Sequence, residues 1–173
     1  VLLLQMEVPF DVSMAGARAA KERGVTVMLD PAPASDIPPE AFADLDIITP
    51  NQTEAEYHTG IRVTDTPSAK RAAEVLLERG VGTAIVKMAE LGVYFASSDG
   101  GCFVPAYQVE VMDTVSAGDA FSGALAVALA EDKSIKEAVR YGAAAGALAV
   151  TKQGVQTAMP SRSEVDALYS QAQ

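Results

Sequence analysis

The sequence predicts an α/β domain with a mainly parallel sheet and helices on both faces. Short runs that are almost wholly apolar, such as Val1–Met6 and Val25–Leu29, suit strands covered on both sides. These runs alternate with helix-type stretches, the pattern of right-handed β–α–β crossovers. Capping residues and glycines punctuate the stretches where helices should begin and end.

Taken in order, Val1–Met6 is expected to be the first strand, and the Ala-rich stretch Val12–Arg23, closed by Gly24, the first helix. Val25–Leu29 leads into Asp30-Pro31, and Asp46–Thr49 is a third, short strand ended by Pro50. A helix begins near Asn51. Thr66-Pro67 looks like an N-cap followed by proline, opening a helix to about Arg79 with Gly80 beyond it. Thr83–Lys87 is the next buried strand, followed by shorter ones at Gly92–Ser97, Cys102–Pro105 and Gln108–Met112, with a turn at Asp99-Gly100-Gly101. A loop over Asp113–Ala117 precedes a long helix, Gly118–Ala130. Ser134 with Glu137, and Ser161 with Glu164, have the spacing of capping boxes for two further helices.

The 173 residues are 49% apolar and 21% charged, which suits one packed domain over 1–173. A net charge of −10 disfavours a nucleic-acid partner, because a phosphate backbone needs a basic face. It still permits a mononucleotide, which a few backbone amides can hold. Cys102, the single cysteine, rules out an internal disulfide and is expected as a partly buried strand residue. His58 is the single histidine, so triad or His-metal chemistry would have to pass through it; surface or packing is the plainer expectation. Val1–Met6 is too short for a signal peptide and Ala143–Val150 too short to span a bilayer, so no membrane partner and a cytoplasmic location are expected.

Two segments carry chemistry. In Asp113-Thr-Val-Ser-Ala-Gly-Asp119, the small residues Ser116, Ala117 and Gly118 let a ligand approach backbone amides at a helix N-terminus, where the dipole favours anions. Asp119 follows in the first turn, placed to accept the proton of an attacking hydroxyl. Taken alone, the same residues suit an ordinary N-terminal turn. In Thr49-Pro-Asn51-Gln-Thr-Glu54, Asn51 and Glu54 share one side of a first helical turn. They suit either a capping arrangement or a phosphate and Mg²⁺ neighbourhood, since Mg²⁺ prefers oxygen donors and keeps waters.

Together these segments resemble the signatures D-T-x-x-A/G-G-D and N-x-x-E of the ribokinase-like (phosphofructokinase-B type) sugar kinases. The resemblance implies that Asp119 is the catalytic base, that Ser116, Ala117 and Gly118 form the anion hole, and that Asn51 and Glu54 lie near phosphate and, through water, Mg²⁺. It implies ATP as phosphoryl donor, with nucleotide contacts at Asn51, Lys87, Met88, Ala89, Glu90, Leu91, Gly92, Gly118 and Ala143. Glu7, at a strand end, is the implied sugar contact beside Asp119. Asp113, Val115, Ala149, Lys152, Gly154 and Ala158 are the implied potassium site, several through carbonyls, although a hydroxyl-bearing residue would be more usual at Ala158.

The sequence departs from the family in two respects. The nucleotide loop T-L-G-x-x-G reads Lys87-Met-Ala-Glu-Leu-Gly92 here, with Lys for Thr and Ala89 for the first glycine. Lys87 would then either offer its charge to phosphates or cap the strand in solvent. The chain is also shorter than the family pattern, and the N-terminal strands, sugar contacts and lid are expected to be missing. The 173 residues alone are therefore expected to be incompetent as a kinase, and to pair with the missing half or to self-associate through Val1–Met6. A nucleoside kinase and a truncated, non-catalytic nucleotide-binding or self-associating module are the alternatives.

Overall fold

The computed structural model describes residues 1–171. It divides into two compact units, Val1–Phe103 and Val104–Gln173.

The first unit is a six-stranded sheet whose strands lie in chain order. Strands β1 (Leu2–Leu4), β2 (Val27–Leu29), β3 (Ile47–Ile48) and β4 (Thr83–Lys87) run parallel. Strand β5 (Val93–Ser97) pairs antiparallel with β4, and β6 (Gly100–Val104) lies beside β5 after a two-residue turn, Ser98-Asp99. The sheet is thus mixed, with a parallel portion followed by a hairpin edge.

Each parallel step moves the same way across the sheet, so right-handed crossovers place their helices on one face. Helices α1 (Phe10–Lys21), α2 (Gln52–Thr59) and α3 (Thr66–Glu78) do so. Met14, Ala17, Ala55, Ala69, Ala73 and Leu76 pack with Val27, Leu29, Ile48, Ala84, Val86, Tyr94 and Ala96, which the register aligns on a single face. The opposite-face residues Met28, Ile47, Ile85 and Phe95 are also buried, which is why the strands carry no alternation for sequence to show.

Three expectations are corrected. Gln108–Met112 forms no strand: Met112 N–H instead donates to the Val150 carbonyl at 2.8 Å, binding the segment to a helix end. The N-cap of α3 is Asp65, not Thr66: its carboxylate accepts from Ser68 N–H while Ser68 Oγ accepts from Asp65 N–H, and Thr66 is already helical. The turn expected at Asp99–Gly101 lies one residue earlier, and Gly100 and Gly101 belong to β6; a side chain at Gly101 would collide with the Tyr94 ring.

The second unit is helical: α4 (Ala117–Ala130), α5 (Ile135–Ala149) and α6 (Arg162–Gln171). The two expected capping boxes are present, at Ser134 with Glu137 and Ser161 with Glu164. Helix α5 meets α4 through glycines. A Cβ at Gly142 would lie 2.9 Å from the Phe121 carbonyl oxygen, and one at Gly146 would lie 3.2 Å from that of Ala117. Helix α6 is held to the end of α4 by the ion pair of Arg162 with Glu131 and to α5 by Tyr141 Oη, which donates to Asp166 at 2.8 Å; Arg162 also pairs with Asp166 one turn along α6. No helix among the described residues is long and apolar enough to cross a membrane.

Candidate active site

The C-terminal ends of parallel strands are where open α/β sheets place ligands. In the first unit, Asp30 follows β2, Asn51 follows β3, and Lys87 ends β4. Lys87 N–H donates to the Pro50 carbonyl at 2.9 Å, Asn51 forms a parallel bridge with Lys87, and Thr49 N–H donates to the Leu29 carbonyl at 3.0 Å, so the three strand ends are tied together.

Asn51 caps α2. Its Oδ1 accepts from Glu54 N–H at 2.9 Å, while the Glu54 carboxylate accepts from the Asn51 backbone and side-chain N–H groups, each at 2.8 Å. The capping arrangement weighed from sequence is therefore present, and the same geometry fixes a buried carboxylate at a strand end. Burial pushes the Glu54 carboxyl above its usual range, and nearby Asp30 adds to this. The Asn51 backbone N–H and the Lys87 ammonium pull the other way.

Lys87 does not cap the strand in solvent. Its Nζ donates to both Asp30 oxygens, at 3.0 and 3.1 Å, with the two side chains 13% and 3% exposed. Sequence reading missed Asp30, 57 residues away, as its partner; an acid closing the apolar run Val25–Leu29 was the available signal. Beyond Lys87, Met88 is buried, and Ala89–Leu91 makes a single 3₁₀ turn closed by Gly92. Met88 N–H donates to the Gly92 carbonyl at 2.8 Å. Ala89 stands at φ +50°, where glycine is at ease and a Cβ is crowded. Glu7 is exposed in the bend beyond β1.

His58 is buried among Phe42 and Tyr57 ring edges, and burial lowers its pKa. It packs against these rings. Cys102 is half-buried in β6.

In the second unit the loop before α4 turns on Asp113, whose Oδ1 accepts from Val115 N–H at 3.0 Å. Ser116, the N-cap, sits at φ +67° and makes no side-chain cap, and its Oγ is buried with no hydrogen-bond partner among the described residues. The first amides of a helix lack intrahelical acceptors, and Ala117 N–H reaches the Thr114 carbonyl only at a long 3.5 Å. Asp119 is exposed in the first turn beside these amides. It borders an open cleft of about 360 Å³ lined further by Gly123, Val127, Tyr141, Met159 and Arg162.

Of the residues assigned to potassium, Asp113 N–H donates to the Val150 carbonyl at 3.2 Å, placing that loop at the end of α5. The Ala149 carbonyl accepts from Lys152 N–H at 3.3 Å, and the Lys152 ammonium donates to Glu164 at 2.8 Å. Gly154 stands at φ +104°, and Ala158 is fully buried. Ala143 lies within α5.

Comparison with known proteins places this architecture. The model of the pfkB family carbohydrate kinase matches residues 3–162. A ribokinase of Haemophilus influenzae is 42% identical over 163 residues, covering 94% of this chain and 53% of that protein. Among solved structures, Arabidopsis thaliana ribokinase complexed with ribose and ATP superposes with a TM-score of 0.91 at 34% identity, over 96% of this chain and 55% of that one. Phosphofructokinase-2 from Escherichia coli in complex with potassium gives 0.81 at 25% identity, over 98% and 55%. The chain spans about half the length of the relatives it matches. With the family match running through both units and ribokinase relatives matching nearly the whole chain, this protein belongs to the pfkB family of carbohydrate kinases.

Proposed function

We propose that the chain carries the nucleotide-binding and phosphoryl-transfer residues of an ATP-dependent sugar kinase, with Asp119 as its base. The observation that carries this reading is the start of α4. A non-glycine N-cap is held at positive φ, its hydroxyl lacks a partner, and a carboxylate follows in the first turn. Backbone strain and an orphan polar group at a helix N-terminus suit an anion site.

In the proposed reaction Asp119 takes the proton of the sugar hydroxyl as its oxygen bonds to the γ-phosphorus of ATP. The bond to the leaving oxygen breaks, its electron pair stays on ADP, and the Ala117 and Gly118 amides stabilise charge on the transferring group. Asn51, the Lys87–Gly92 loop, Gly118 and Ala143 are assigned to the nucleotide, and Glu7 to the sugar. The donor set at Asn51 and Glu54 fits Mg²⁺ held through water: the carboxylate oxygens accept one N–H each and retain lone pairs. When bound, Mg²⁺ would neutralise phosphate charge. The carbonyl-rich turn from Ala149 to Ala158, with Asp113 beside it, fits a monovalent cation, and the potassium complex of the phosphofructokinase-2 relative supports that assignment. Ribose or a related pentose is the proposed acceptor, by likeness to the ribokinase that holds ribose and ATP.

Calorimetry with Mg-ATP tests the site. Wild-type protein is expected to bind and Gly118→Asp to lose binding, because a carboxylate would meet the phosphates. Absent binding, or binding untouched by Gly118→Asp, overturns the assignment.

A further inference from the structure

His58 has no part in the proposed reaction, yet it is the largest side chain that α2 buries. That helix has eight residues, of which only Glu54, Ala55 and His58 are buried. Two helical turns hold themselves poorly in water, so packing keeps them in place. Ala55 offers one methyl group; the His58 ring, in a residue 5% exposed, offers more. It stands edge-on to Phe42 of the 3₁₀ segment Pro39–Asp44, with ring centres 6.3 Å apart, and to Tyr57, at 5.2 Å.

These surroundings suit the neutral ring and oppose the charged one. Nε2 is buried with no hydrogen-bond partner among the described residues, so a proton there would leave a charged N–H without an acceptor. Burial holds the imidazole below its usual value of 6.5, and the Arg79 guanidinium, 5.3 Å from the centre of the Phe42 ring, lowers it further. Asp36 pulls the other way more weakly, its carboxylate accepting from Tyr57 Oη at 2.8 Å. One turn earlier on α2, Glu54 feels Lys87 and Asp30. A ring that binds a proton less well when packed than when free stabilises the packed state fully above its ordinary pKa, and that stability is lost as pH falls below it.

We propose that His58 is a pH-sensitive latch: a proton on its ring drives it from between Phe42 and Tyr57 and frees α2, the helix capped by Asn51 and carrying Glu54, while the sheet stays folded. Acid then withdraws the residues assigned to phosphate and Mg²⁺. That consequence rests on the proposed roles of Asn51 and Glu54; the latch itself does not.

Amide hydrogen exchange followed by NMR on the whole chain, without nucleotide, tests the latch independently of the kinase reading. Protection, taken relative to the intrinsic exchange rate, is compared at about pH 7.5 and about pH 5.5, either side of the ordinary histidine pKa. In wild type, protection of Ala55–Thr59 is expected to fall by about three- to tenfold, ten being the ceiling for a group of ordinary pKa 6.5 over this range. At the lower pH it is expected to stand well below that of Ile85 in β4, since the helix opens without the sheet. His58→Leu, close in size and unable to take a proton, is expected to remove the fall, and so is His58→Gln, which serves should the first variant not fold. No fall in wild type, the same fall in the variants (which would assign it to Glu54 or Asp36), or equal protection at Ala55–Thr59 and Ile85 overturns the proposal.

Discussion

Ala89 holds a backbone conformation that suits glycine, at φ +50°. The left-handed region costs an L-residue about 1–2 kcal/mol, while glycine gives back part of that through the entropy of the unfolded chain. Ala89→Gly is therefore expected to stabilise the protein by about 0.5–1 kcal/mol in urea unfolding. A loss of stability would show that the Cβ makes contacts worth more than the strain. The departure from the family loop was legible in sequence, but the conformation was not, because no local pattern distinguishes a tolerated alanine from a strained one. Lys87 shows the same limit. Its substitution for threonine was visible, whereas its burial against Asp30 depends on two strands brought together by the sheet.

At the scale of elements, sequence reads best where a few neighbouring residues decide the structure. The capping boxes at Ser134 and Ser161 stand where the spacing put them, because capping is settled within one turn. Gln108–Met112 was misread because its apolar alternation mimics a strand, while its hydrogen bonds go to Val150, far along the chain. The close approach of α4 and α5 was likewise hidden: Gly142 and Gly146 look like weak points in a helix until Phe121 and Ala117 are seen against them. Gly142→Ala is expected to destabilise by about 1–3 kcal/mol through overpacking. Gly123→Ala, with nothing within 4 Å of the added Cβ, is expected to stabilise by about 0.5–1 kcal/mol through helix propensity. Thermal melts of both variants check the pair. Equal effects would mean that the tight helix crossing does not limit stability.

At the scale of the molecule, the alternation of strands and helices was enough to place an α/β sheet. The turn expected between Gly92–Ser97 and Cys102–Pro105 stands one residue earlier, joining β5 to β6; the antiparallel pairing of β5 with β4 was not read from the sequence. Strand β1 is an edge of that sheet, half-buried and apolar, and exposed strand edges recruit further strands. Self-association through β1 is therefore expected, and light scattering should report a dimer or larger species; a clean monomer at tens of micromolar contradicts it. The cleft beside Asp119 carries two charged side chains, Asp119 and Arg162, among its lining residues. It offers little to hold a sugar's hydroxyls, so the 173 residues alone are expected to transfer phosphate poorly. The most direct test of the central claim is therefore turnover of ribose with ATP by this chain complemented with the N-terminal half of a ribokinase, comparing wild type with Asp119→Asn. The base assignment predicts a fall in turnover of about 10²–10⁴-fold with nucleotide affinity barely changed; wild-type turnover by Asp119→Asn would contradict it.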